Sequence, residues 1–169
     1  MRNWFVVLAL LLAATVSVDA QRVAYVDVEK ILEAIPEYKE AQADLDQTAA
    51  KWKQDIAQEY AKIEKMYKKY QAEQVLLRET ARQQREEEIV NKEKQVREMQ
   101  KQKFGPEGAL FQKRQQLVKP LQDKVYDAIN KYASDRGYDF IFDKSDGATI
   151  LFASPRLDKT EDILKKLGF

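Results

Sequence analysis

Cysteine and histidine are both missing from this sequence. Without cysteine there is no disulfide to stiffen a small fold, no thiolate nucleophile and no sulfur ligand for zinc. Without histidine the His-dependent catalytic triads fall away, together with imidazole metal sites. No Gly-x-x-x-x-Gly-Lys phosphate loop is present either. Asp27, Asp139 and Asp143 lie in or beside predicted strands, but no nucleophile, base and oxyanion donor converge with them. No catalytic, metal-binding or cofactor-binding residue is therefore expected. Charge of neither sign dominates: 29 Lys and Arg face 28 Asp and Glu, for a formal charge of +1. The two signs are interspersed, which describes a solvated helical surface and argues against nucleic acid as a partner. A last absence is local. From Glu37 to Phe104 there is neither glycine nor proline.

What fills that stretch is charged residues, Gln, Ala, Leu and aromatics, all compatible with helix. Leu45, Ala49, Trp52, Ile56, Tyr60, Ile63, Tyr67 and Tyr70 recur every three or four residues, an apolar seam close to the heptad period. The seam thins after Tyr70 and returns weakly at Ile89, Val96 and Met99. One straight helix would be roughly 100 Å long and would need a sustained seam. The interruption instead predicts an antiparallel helical hairpin with its tip near Val75 to Arg82. Thr80 to Gln83 has the form of a capping box that restarts the helix there. Each limb has about 40 residues, which gives an arm of roughly 60 Å.

Long apolar runs are equally scarce. The single one, Trp4 to Val18, follows Arg2 and ends at Val18-Asp19-Ala20. At about 15 apolar residues it is short for a membrane span and reads as a secretory signal peptide over residues 1–20, cleaved between Ala20 and Gln21. The rival is an uncleaved anchor. The chain after it is expected to be soluble and exported.

The two ends of the exported chain carry the strand signals. Val23 to Val28 is β-branched and apolar, with Asp27 placed to cap a short helix from Val28 to Ile35. Tyr138 to Asp143 is a second strand, Asp146-Gly147 a tight turn, and Thr149 to Ala153 the returning strand. Between arm and strands, Gly105 to Gly108 interrupts the returning helix, and Pro120 is expected to bend it further on. Gly137 suits a helix C-cap, and Asp158 can cap a final amphipathic helix. The fold class is α+β, mainly α. The arm (37–120) is inserted in a small β-body assembled from 21–36 and 121–169. With fewer than about 75 residues and no disulfide, such a body is marginal alone, so oligomerisation is expected.

The signal peptide, the opening Val-Ala-Tyr-Val-Asp-Val strand, the charged arm and the closing Arg-Gly-Tyr-Asp-Phe-Ile-Phe-Asp strand with its Asp-Gly turn occur here in one order. On these features the chain resembles the Skp/OmpH family of exported chaperones for outer-membrane proteins. The resemblance implies a periplasmic homotrimer shaped like a jellyfish. Strands of three chains form the body, and the arms enclose a cavity that holds unfolded outer-membrane β-barrel proteins without ATP. Contact with a membrane surface is expected to be weak at most, and no lipopolysaccharide site is assigned. Val26, Val28, Phe140, Phe142, Ile150 and Phe152 are the candidate oligomerisation residues. Trp52, Ile56, Tyr60, Ile63, Met66, Tyr67 and Tyr70 are the candidate arm residues, either packing the seam or facing a client. Helical spacing favours the seam, whereas Met66 and Tyr38 lie beside it, better placed to face a cavity. The alternative function is a structural coiled-coil spacer or adaptor of the cell envelope.

Overall fold

A computed structural model describes residues 21–145, 147 and 150–169. The expected signal peptide and its cleavage position before Gln21 fall on or against residues 1–20, outside the described part, as do Asp146 and Thr149. The elements run β1 (Val23–Val26), α1 (Val28–Ala34), α2 (Pro36–Glu73), α3 (Glu79–Phe104), α4 (Ala109–Leu117), α5 (Lys119–Arg136), β2 (Phe140–Asp143) and α6 (Thr160–Leu167). A single 3-10 turn, Pro155–Leu157, precedes α6.

The first strand is shorter than its sequence suggests. It ends at Val26, because the Asp27 carboxylate accepts the Lys30 N–H at 2.9 Å and starts α1 at Val28. Val28 is thus a helical residue. Pro36 then opens α2 without loss, since a proline at the first helical turn gives up an N–H that has no partner there. The helix runs unbroken for 38 residues. Its turn into α3 occupies Gln74 to Arg78, inside and just before the expected region. The predicted capping box does not form: Arg78 is the extended residue before the helix, α3 starts at Glu79, and Thr80 lies within its first turn. The helix is interrupted at Val118, which keeps helical dihedrals, and Pro120 sits in the first turn of α5, where its missing N–H is tolerated. Gly137 takes φ 64°, and its N–H closes the last turn of α5 as a left-handed cap.

β1 and β2 pair in parallel, with Val23 opposite Phe140 and Val26 opposite Asp143. The expected hairpin between 138–143 and 149–153 is therefore overturned: the strand partner of β2 is β1, and residues 150–153 carry no strand. A parallel pair needs a long crossover, and the whole helical excursion supplies it. Residues 143–145 and 158–160 close over the start of α1. The Asp143 carboxylate accepts the Val28 N–H at 3.2 Å, and the Thr160 hydroxyl accepts the Asp27 N–H at 3.0 Å while donating to Asp158 at 2.6 Å.

The body core collects Val26, Val28, Ile31, Leu32, Ile35, Val125, Ile129, Tyr132, Ile163 and Leu164 under α1, α5 and α6. Tyr132 is buried there, and its hydroxyl donates to Asp162 at 2.8 Å. Burial first, and that hydrogen bond to a carboxylate second, push the phenol up to about 12. A folded-state value above the ordinary 10.0 gives stability that is complete below pH 10 and lost as pH rises through 12. The linkage amounts to roughly 2–3 kcal/mol. Between those pH values the urea midpoint of the native protein should fall more steeply than that of Tyr132→Phe. Parallel alkaline profiles for the two would refute this role of Tyr132.

Candidate functional site

α2 and α3 pack side by side in opposite directions. Ile56 and Ile63 of α2 meet Ile89 and Val96 of α3 in a buried seam, flanked by Met66, Tyr70, Met99 and Phe104. Residues four and three apart on each helix bring these side chains to one stripe, so the heptad spacing buries a narrow core and nothing wider. Of the candidate arm residues, Ile56 and Ile63 are fully committed to this packing. Met66 is half-buried against the same cluster, so it is a seam residue and not one turned toward a cavity. Tyr38 likewise packs between the body core and the base of the arm.

The aromatics occupy the rims of the seam. Tyr60 and Tyr67 are 42% and 40% exposed, while their hydroxyls reach across to α3, Tyr60 to Gln100 at 3.5 Å and Tyr67 to Glu93 at 2.9 Å. Tyr70 donates to Glu86. These hydrogen bonds to carboxylates hold the Tyr67 and Tyr70 phenols above their ordinary range. Each ring thus has its polar end satisfied within the chain and, for Tyr60 and Tyr67, part of its face left to solvent. On the opposite rim Glu59 bridges Lys62 at 2.5 Å and Lys92 at 2.6 Å, and these two ammonium groups lower its carboxyl to about 2. Trp52 stands on that rim too, its ring edge-on to Phe104 with centroids 6.1 Å apart and the Lys103 ammonium 4.4 Å from its centroid. The grooves along the rod are open and mixed in polarity.

The body presents a second surface. Ala24 and Val26 point into the core, as does the half-buried Ile141. Val23, Tyr25, Phe140 and Phe142 alternate with them and therefore line the other face of the sheet. That face is apolar as well, and among the described residues only the segment from Ile150 to Leu157 lies along it, leaving it partly open. Phe140 is 52% exposed and stacked on Phe142 at 6.3 Å, and Phe152 is 86% exposed. A groove of about 410 Å³ runs across it between Tyr25, Phe142, Ile150, Phe152 and Leu157.

The six candidate oligomerisation residues are divided by this geometry. Phe140, Phe142, Ile150 and Phe152 share the open face. Val26 and Val28 do not: they are 1% and 5% exposed inside the chain's own core. Alternation along the sequence could not separate the two groups, because both faces of the sheet are apolar and a step of one residue exchanges them. Sequence reasoning missed Leu151, 93% exposed on the body, and Val75 and Leu76, each 87% exposed at the turn between α2 and α3. The last two were legible only as part of the expected hairpin tip. Among the described residues no helix is long and apolar enough to cross a membrane.

Comparisons with known proteins converge on one group. A family model described as "Outer membrane protein (OmpH-like)" matches residues 22–167. The Chaperone protein Skp of Yersinia enterocolitica is 24% identical over 174 residues, spanning 99% of either chain. A solved structure from Caulobacter crescentus, described as an OmpH-like outer membrane chaperone, superposes with a TM-score of 0.66. It is 12% identical and covers 88% of this chain and 84% of its own, a likeness of fold.

Proposed function

Because this chain belongs to the OmpH-like outer membrane protein family, we propose that it is an ATP-independent holdase of the periplasm that keeps unfolded outer-membrane β-barrel proteins from aggregating. The observation that carries this reading is the partly open second face of the sheet. Two stacked Phe rings with Phe152 beside them make an exposed apolar patch of the kind that marks an interaction surface. In our reading three copies cover it for one another, and their α2–α3 arms then surround a common cavity.

The chemistry of the arm suits weak and general contact. Half-exposed Tyr60 and Tyr67 offer apolar ring faces whose hydroxyls need nothing from a client. The solvated charges between them keep the arm itself soluble. No single contact fixes a client conformation; three arms around one chain raise the effective concentration of many weak ones. Delivery to the periplasm follows in this reading from cleavage between Ala20 and Gln21, which N-terminal sequencing of the exported protein checks directly.

The test dilutes a urea-unfolded β-barrel protein into buffer with and without the protein and follows light scattering. Suppressed scattering is expected at a molar excess of trimer, and unchanged scattering would refute the holdase. Mass measurement by light scattering on the same sample is expected to give three chains. Replacing Phe140 and Phe142 by Ser should shift that mass to one chain and release the client to aggregate. A native protein already running as one chain or two would remove the cavity.

A further inference from the structure

Among the described residues, Arg22 is the first that the body holds. Its N–H donates to the Asp139 carboxylate at 2.7 Å, and its carbonyl accepts the Asp139 N–H at 2.9 Å. Its guanidinium donates to the Arg136 carbonyl and lies 4.9 Å from the centroid of the Tyr138 ring. β1 follows at once from Val23. Gln21 stands just outside this anchor, exposed and ahead of the strand. The family model has the same edge, since its match begins at residue 22.

Cleavage between Ala20 and Gln21, the reading on which this proposal rests, leaves Gln21 as the first residue of the exported chain. We infer that Gln21 is then a modification site and that the mature protein carries a pyroglutamyl end. In this step the neutral α-amine nitrogen attacks the side-chain carbonyl carbon, Cδ. The N–Cδ bond forms and the Cδ–Nε2 bond breaks. The departing Nε2 takes one proton from the attacking amine and leaves as ammonia. No oxidant or second reactant is consumed. An α-amine ordinarily titrates near about 8, so close to neutral pH a fair share is the free base that attacks. Amine and carboxamide belong to one residue, so no encounter between separate reactants has to be paid for in entropy.

The fold leaves room for the ring. It is made from N, Cα, Cβ, Cγ and Cδ of Gln21, and none of these atoms takes part in the Arg22 anchor. The Gln21–Arg22 peptide bond, whose N–H is the donor to Asp139, survives unchanged. The lactam removes the terminal positive charge and the free amine that an aminopeptidase grips. Arg22, and with it the front of β1, is thereby protected from trimming.

The test expresses the full chain, collects the protein from the periplasm and measures its intact mass before and after incubation in neutral buffer. The expected mass is that of residues 21–169 less one ammonia. Fragmentation of the N-terminal peptide should place the loss on Gln21. Sequencing chemistry that needs a free α-amine should read nothing until pyroglutamyl aminopeptidase removes the lactam, and then begin at Arg22-Val23-Ala24. Gln21→Ala should keep its full mass and its free amine. The urea midpoints of that variant and of the cyclised protein should be indistinguishable. A lower midpoint for the cyclised chain would show that the ring disturbs the Arg22 anchor, against the geometry given above. The mass of residues 21–169 persisting unchanged through incubation would overturn the pyroglutamyl end while the cleavage stands. A chain that starts elsewhere than Gln21 would overturn both.

Discussion

Val96→Asp is expected to melt the outer arm while the body stays folded. Val96 is 1% exposed in the seam with Ile56, Ile63 and Ile89. A carboxylate there has no cation within the stripe to answer it, and the seam is too narrow to admit water without parting the helices. An uncompensated buried charge costs roughly 3–5 kcal/mol, and the arm has little to set against it. Four residues form its buried cluster, and flanking ion pairs such as Lys68–Glu64 and Arg85–Glu88 are solvent-exposed and add little. The measurement is hydrogen exchange resolved by peptide. Protection should vanish over residues 53–103 and persist over α1, α5 and α6. Val90→Asp, one residue from the seam but 55% exposed, should shift stability by no more than about 0.5 kcal/mol. Full protection of the outer arm in Val96→Asp would show that the seam does not hold α2 to α3.

The second large effect belongs to the body. Ile163→Ala should lower its stability by about 2–5 kcal/mol. The side chain is wholly buried among Ile31, Ile35 and Val125, and α6 carries it into that position from the far end of the chain. The surrounding elements are tied from several sides: Thr160 and Asp143 hold the start of α1, so the cavity left by the lost methyl groups cannot collapse easily. For a domain of this size the loss is a large share of a total on the order of 5–15 kcal/mol. The urea midpoint of the body transition is the readout, and a midpoint unmoved by the substitution would place the core elsewhere. If the body assembles through its open sheet face, the same substitution should also make the transition more dependent on protein concentration, since a weakened fold leans harder on its partners.

The seam of α2 was legible because period 3.5 is a local property: Ile56 and Ile63 announce their face whatever lies opposite. The caps of α1 and α5 were legible for the same reason, since Asp27 and Gly137 act within four residues of themselves. Thr80 shows where local signals compete. It is a valid helix-start residue, but the helix begins at Glu79, after the extended Arg78. The strands failed differently. Phe140 and Phe142 alternate as a buried strand should, but Ile141 takes the inward place because Ala24 and Val26 across the sheet already face the core. The Asp146-Gly147 turn signal suggested a hairpin, but β2 pairs in parallel with β1 across the long helical excursion.

By itself, then, the sequence determined the helical character, the long apolar stripe, the absence of cysteine and histidine chemistry, and the placement of strands at both ends. All of these depend on residues within a few positions of one another. Tertiary structure alone decided that the strands pair in parallel, that Val26 and Val28 are spent inside the chain while Phe140, Phe142 and Phe152 are not, and that α2 packs in two clusters, one around Leu45 and one around Ile56 and Ile63. Those outcomes depend on which distant segment arrives to fill a given face. For a sheet that is apolar on both sides, that choice is made by the helices that pack on it, not by the strands.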